Sequence, residues 1–67
     1  MKAETLAKFQ GKKVRIFLSN GRLYNGIVQK VEDDCLEMID KFNLDVVISI
    51  GVIQQVEVIN EQVKTEA

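Results

Sequence analysis

The chain has 67 residues and a mass of 7.6 kDa, with 46% apolar residues, one Cys, no His and a formal net charge of −1. A domain of this size buries only about 60% of the surface its unfolded form exposes; one Cys makes no intrachain disulfide, and one Cys without His builds no tetrahedral zinc site. The same inventory removes nucleophiles activated by His and leaves association between copies as the stabiliser that fits.

Residues 3–10, Ala-Glu-Thr-Leu-Ala-Lys-Phe-Gln, hold no Gly, Pro or β-branched run, and Leu6 and Phe9 give them a weakly apolar face. A two-turn helix over 3–10 is predicted, stopped by Gly11 at its C′ position. Two turns are not stable alone in water, so this helix must dock on the rest of the chain. From Lys12 the period changes to two: Val14, Ile16 and Leu18 alternate with Arg15 and Phe17, the pattern of a half-buried strand. Ser19-Asn20-Gly21-Arg22 follows, and Asn-Gly between alternating runs signals a hairpin. A second, long strand is predicted from Leu23 to Val31, with Gly26 marking a sharp bend or bulge.

The acidic triplet Glu32-Asp33-Asp34 reads as a turn, and Cys35–Asp40 as a third strand. After the short connection Lys41-Phe42-Asn43-Leu44-Asp45, the run Val46-Val47-Ile48-Ser49-Ile50 is nearly all apolar and β-branched, as in a strand covered on both faces. Gly51 breaks it, and Gln54–Ile59 completes a fifth strand. The expected fold is all-β: a short N-terminal helix followed by a strongly bent five-stranded antiparallel barrel. Connections of two to five residues favour the SH3-like meander over the OB type. One domain is expected over 1–67, with the helix at about 3–10, the barrel at about 12–59 and a frayed tail at 60–67. Open edges on such apolar fourth and fifth strands invite aggregation, and pairing them between copies, closing into a ring, removes both.

The near-neutral net charge hides a segregation. Residues 1–30 carry seven basic side chains (Lys2, Lys8, Lys12, Lys13, Arg15, Arg22 and Lys30) against Glu4. Residues 31–67 carry Lys41 and Lys64 against nine acids. Such asymmetry hints at an anionic partner for the basic half, or at charge pairing inside the fold. Lys8, Lys12, Lys13 and Arg15 gather around the helix end and form the candidate phosphate-contacting cluster. Tyr24 is a candidate for stacking a base or for packing at a core or interface. Cys35 reads as a small buried hydrophobe rather than a reactive thiol, since acids surround it. Glu32, Asp33 and Asp34 read as a solvated turn rather than a divalent-cation site.

The stretch Gly11-Lys-Lys-Val-Arg-Ile-Phe-Leu-Ser-Asn-Gly-Arg-Leu-Tyr-Asn-Gly26 resembles the first motif of the Sm-like (LSm/Hfq) family: Gly, two residues, Val-x-Val-x-Leu, a turn with Gly-Arg, an aromatic, one residue, Gly. The preceding helix and the closing Ile53-x-x-Val56 also fit, so the resemblance spans roughly residues 5–59. It implies a ring of subunits joined through the fourth and fifth strands, with Val47, Ile48, Ile50, Val56 and Val58 as interface candidates. It also implies single-stranded RNA bound around the pore, where the family stacks a base on an aromatic or His, reads it with an Asn and adds an Arg or Lys. The family's Asp-x-His-Met-Asn falls here on Glu32-Asp33-Asp34-Cys35-Leu36, so the stacking position is Asp34 and the reading position Leu36. Its Ile-Arg-Gly falls on Ile48-Ser49-Ile50, making the basic position Ser49, and the Lys-His variant falls on Ile50 and Gly51.

The expected function is therefore an RNA-binding ring protein of RNA metabolism with a non-standard site. The alternative is a ring-shaped assembly or adaptor module, without RNA binding, that presents its acidic surface to a protein. The expected partners are further copies of the chain, in a ring of about five to seven subunits, single-stranded RNA, and on the alternative reading a protein. No catalysis, cofactor, metal or membrane partner is expected. Nothing approaches the roughly 18 apolar residues of a membrane span, Glu4 and Lys8 interrupt any signal-peptide core, and the free thiol points to a reducing cytoplasm.

Overall fold

A computed structural model describes residues 2–59; the tail expected to fray, 60–67, lies outside the described residues, as does Met1. The elements in chain order are α1 (Ala3–Ala7), β1 (Lys13–Leu18), β2 (Leu23–Val31), β3 (Cys35–Asp40), β4 (Asp45–Ser49), a 3₁₀ turn (Ile50–Val52) and β5 (Ile53–Val58). The strands form one bent antiparallel sheet in the order β4-β3-β2-β1-β5. Four strands follow one another as a meander, and β5 returns to lie beside β1, which leaves β4 and β5 as the two edges.

The period-two pattern of β1 is realised in packing. Val14, Ile16 and Leu18 point into the core, while Lys13 and Arg15 point to solvent. Leu6 of α1 is fully buried against the same core, which docks a helix too short to stand alone. That helix is shorter than its composition suggests. The α-helical turns stop at Ala7, and Phe9 N–H to Leu6 carbonyl (2.9 Å) and Gln10 N–H to Ala7 carbonyl (3.2 Å) close three-residue turns instead. Gly11, at φ +81°, then donates its N–H to the Val28 carbonyl (2.8 Å), so the chain attaches to β2.

The hairpin after β1 is present, with a longer loop than Asn-Gly alone would give. A two-residue type I′ turn needs positive φ at both central residues, but here only Gly21 (φ +89°) has it. Leu18 donates to the Arg22 carbonyl (2.9 Å), Gly21 donates to the Leu18 carbonyl (3.0 Å), and Asn20 Oδ1 accepts from the Arg22 N–H (2.9 Å).

Gly26 is neither a turn nor the bulge. It lies in regular pairing, opposite Val14 of β1 on one side and Asp40 of β3 on the other. The irregularity falls further along, between Val28 and Lys30, where the β2–β3 register slips. What requires glycine at 26 is contact: a Cβ there would overlap the Ile39 carbonyl oxygen and stand 2.7 Å from the Asp40 Cα. Strand β4 also differs from expectation. It begins at Asp45, and only Ile48 is buried, while Val47 is 65% exposed, because an edge strand has no second layer within one chain. Strand β5 starts at Ile53, one residue early.

Gly26→Ala is expected to cost about 3 kcal/mol or to prevent folding, since both obstructing atoms are backbone and cannot rotate away. Gly51→Ala, whose nearest neighbour is Ser49 Oγ at 3.9 Å, should stay within about 0.5 kcal/mol of the native chain. Urea unfolding of the two variants checks this contrast.

Candidate nucleic-acid interface

The β2–β3 turn and the corner after β4 meet in space. Cys35 pairs with Ser49 and Leu36 with Ile48, and the Ile50 N–H donates to the Asp34 carbonyl at 3.0 Å. The positions singled out by the motif resemblance, Asp34, Leu36, Ser49, Ile50 and Gly51, thus lie in one corner. Leu36 and Ile50, however, are sealed in the core. Asp34, Ser49 and Gly51 reach the surface, and none of them offers a flat ring or a positive charge.

The electrostatics of this corner are acidic. Lys30 Nζ is held by Glu32 Oε2 at 2.9 Å, and that hydrogen bond, with the charge of Glu32, raises the lysine pKa. Cys35 Sγ lies 4.0 Å from Glu32 Oε1. Its thiol pKa is raised, first by desolvation and then by the negative charges of Glu32, Asp34 and Glu37. Both effects favour the protonated thiol over the nucleophilic thiolate. Among the described residues, no group of His, Cys, Asp and Glu is arranged to hold a metal ion.

The four basic candidates are divided by the fold. Lys8 caps the C-terminus of α1, and Lys12 follows in the turn that leads to β1; both are exposed. Arg15 sits mid-strand between acid and amide, its Nη1 3.5 Å from Glu57 Oε1 and its Nε donating to Asn25 Oδ1 at 3.4 Å. Lys13 lies opposite Ile27 and lines a groove with Lys41. The interface candidates divide as well. Val47 and Val58 are exposed on the two sheet edges and Val56 is half-buried, but Ile48 and Ile50 are turned into this chain's own core. Each of those two leaves only 5% of its surface to solvent.

No family model matches the chain, and no curated protein matches it. Among solved structures it is similar to the 1.55 Å crystal structure of Hfq, described as a pleiotropic translational regulator. The TM-score is 0.72 at 16% sequence identity, over 81% of this chain and 92% of that one. The fold is the Sm fold of Hfq.

On this Sm fold a second surface appears that hydropathy alone does not reveal. The start of β2 and the β3–β4 loop enclose a groove of about 330 Å³, lined by Arg22, Tyr24, Asn25, Lys41 and Phe42 among others. It adjoins a second groove of about 290 Å³ that shares Asp40 and Lys41 with it and extends to Lys13. Tyr24 is half-buried against the core, with the Arg22 guanidinium 5.7 Å from its ring centre. Lys41 Nζ stands 5.3 Å from the centre of the Phe42 ring. The signal available in the sequence was the two basic–aromatic pairs, Arg22-x-Tyr24 and Lys41-Phe42, which only the fold brings into one groove.

Alkylation of Cys35 at pH 8 should run slower than that of the same thiol in the urea-unfolded chain. Glu32→Gln should speed it in the folded protein by removing one of the charges that hold the thiol protonated. Timed mass spectrometry with iodoacetamide reads both rates.

Proposed function

We propose that this chain is a ring-forming Sm-like subunit that binds single-stranded RNA through cations lying outside the family's base pocket, without catalysis, in the reducing cytoplasm. The carrying observation is a displacement of charge on a shared fold. The corner where family members hold a base is acidic or sealed (Asp34, Leu36, Ser49, Ile50, Gly51), while Lys8, Lys12, Lys13 and Lys41 are exposed elsewhere on the same surface. Phosphate approaching Asp34 meets like charge; phosphate approaching Lys8 and Lys12 meets cations that a ring would repeat around its circumference. The similarity to a structure described as that of a translational regulator makes RNA the polyanion of choice. Ring formation is supported by the two edge strands, each of which exposes a valine that a copy would cover: Val47 at 65% and Val58 at 48%.

The acidic corner itself favours a second reading, an assembly module that offers Glu32, Asp33 and Asp34 to a basic protein. Fluorescence anisotropy with U-rich, A-rich and mixed RNA separates the two. Binding tighter than about 1 μM at physiological salt exceeds ordinary non-specific attraction. Each lysine of the pair Lys8 and Lys12 that meets a phosphate should, when replaced by Ala, lower the salt slope by about 0.7. Absence of binding even at low salt would leave the adaptor reading.

Light scattering should return a multiple of the 7.6 kDa protomer, and Val47→Asp, by burying a charge in the contact, should reduce it towards a single chain. A native chain that runs as a monomer would remove the ring from the proposal.

A further inference from the structure

We infer that the groove between the start of β2 and the β3–β4 loop is a stacking site for a base of single-stranded RNA, with Phe42 and Tyr24 as the aromatic surfaces and Arg22 and Lys41 as the phosphate contacts. The inference rests on the RNA-binding reading above and names a site for it. That site is separate from the Asp34–Ser49 corner and from Lys8 and Lys12.

Three observations carry it. The first is the exposure of Phe42. At 70% it leaves most of a phenyl ring in water, although its loop is well fixed. Asp40 Oδ1 accepts the N–H groups of Phe42 (2.9 Å) and Leu44 (3.0 Å), and Asn43 closes the loop with φ +65° and a 2.9 Å bond from its N–H to the Asp40 carbonyl. The ring is thus presented to solvent by an ordered turn, where a flat ligand can cover it without a cost in ordering the loop.

The second is charge. Lys41 belongs to the acidic half of the sequence, and the fold brings it beside Arg22 and Lys13 of the basic half. The acid lining both grooves, Asp40, has its Oδ1 already engaged by two backbone N–H groups. With Arg22 and Lys41 against that single acid the first groove is still net positive, whereas the corner at Glu32–Asp34 is negative, and a polyanion is steered towards the former.

The third is composition. Cations set beside aromatic faces are what sequence-tolerant binding of single strands uses: bases stack and phosphates pair. A groove of about 330 Å³ is at the lower end for ligand sites and suits a single ring system.

The chain supplies its own reporter. Tyr24 is the only tyrosine and there is no tryptophan, so intrinsic emission comes from this groove alone. The native protein is titrated with short uridine and adenosine oligomers, following tyrosine emission and the anisotropy of labelled RNA together. The expected result is quenching of Tyr24 with the same midpoint as the anisotropy change. Phe42→Ala should weaken binding at least about five-fold, the lower end of what one stacked base contributes. Phe42→Trp should retain affinity and show its own emission quenched. Arg22→Gln and Lys41→Gln should each lower the salt slope by about 0.7. Phe42 is exposed, so these variants keep the native fold, which circular dichroism verifies. RNA binding with unchanged Tyr24 emission and undiminished affinity in Phe42→Ala would overturn the groove and leave the RNA-binding reading standing. No binding by the native protein would overturn both.

Discussion

The whole sheet depends on a crossing of two backbones at Gly26, where β2 runs so close to β3 that the Ile39 carbonyl oxygen and the Asp40 Cα occupy the space a side chain would need. At this position β2 pairs with β1 and β3 together, Gly26 facing Val14 on one side and Asp40 on the other. A long strand that serves two neighbours can bend over a small core only where its backbone is bare on the inside. The register slip between Val28 and Lys30 then turns the far end of β2. That turn sets the Glu32–Asp34 loop against the corner at Ile50, through the bond from the Ile50 N–H to the Asp34 carbonyl.

From that geometry follows the division of charge on the surface. Seven of the nine basic residues precede residue 31, and nine of the ten acids follow it. In a simple two-lobed molecule this would give one basic and one acidic face. The sheet order instead interleaves the halves: β1 lies between β2 and β5, so Arg15 meets Glu57 across a strand pair. Exposed pairs of this kind contribute little stability, about 0–1 kcal/mol, but they decide which cations remain for a ligand. Lys8 and Lys12 lie outside the sheet, and Lys41 is carried to the basic side by the β3–β4 loop.

Size sets the remaining constraint. A chain this small has one thin core, and Ile48, Ile50 and Ile53 are needed to close it. The same segment lies at the edge of the sheet, so it provides core on one face and leaves Val47, with Val58 on the opposite edge, to solvent or to a neighbour. Among the described residues, each end strand of the sheet carries an outward valine and no further strand beside it, a kind of surface that edge-to-edge pairing covers.

The sequence alone determined the kinds of element and most of their limits. Alternation in Val14, Ile16 and Leu18, the Asn20-Gly21 hairpin, the acidic turn and the span of β3 are local properties, written in neighbouring residues. The helix was overextended because the Val28 carbonyl that captures the Gly11 N–H lies seventeen positions on, in another strand. That Gly26 marks a bend is legible in the sequence; the contact that requires glycine there is not, since the obstructing atoms belong to β3. Asp34, Leu36, Ser49 and Ile50, far apart in the chain, are neighbours only through the pairing of β3 with β4 and the bond from the Ile50 N–H to the Asp34 carbonyl. Which of them reach the surface depended on the inward facing of Leu36, Ile48 and Ile50 in a core shared with distant strands. The groove between Tyr24 and Phe42 was decided by tertiary structure entirely, because its two rings lie eighteen positions apart in the chain and only the pairing of β2 with β3 brings them together.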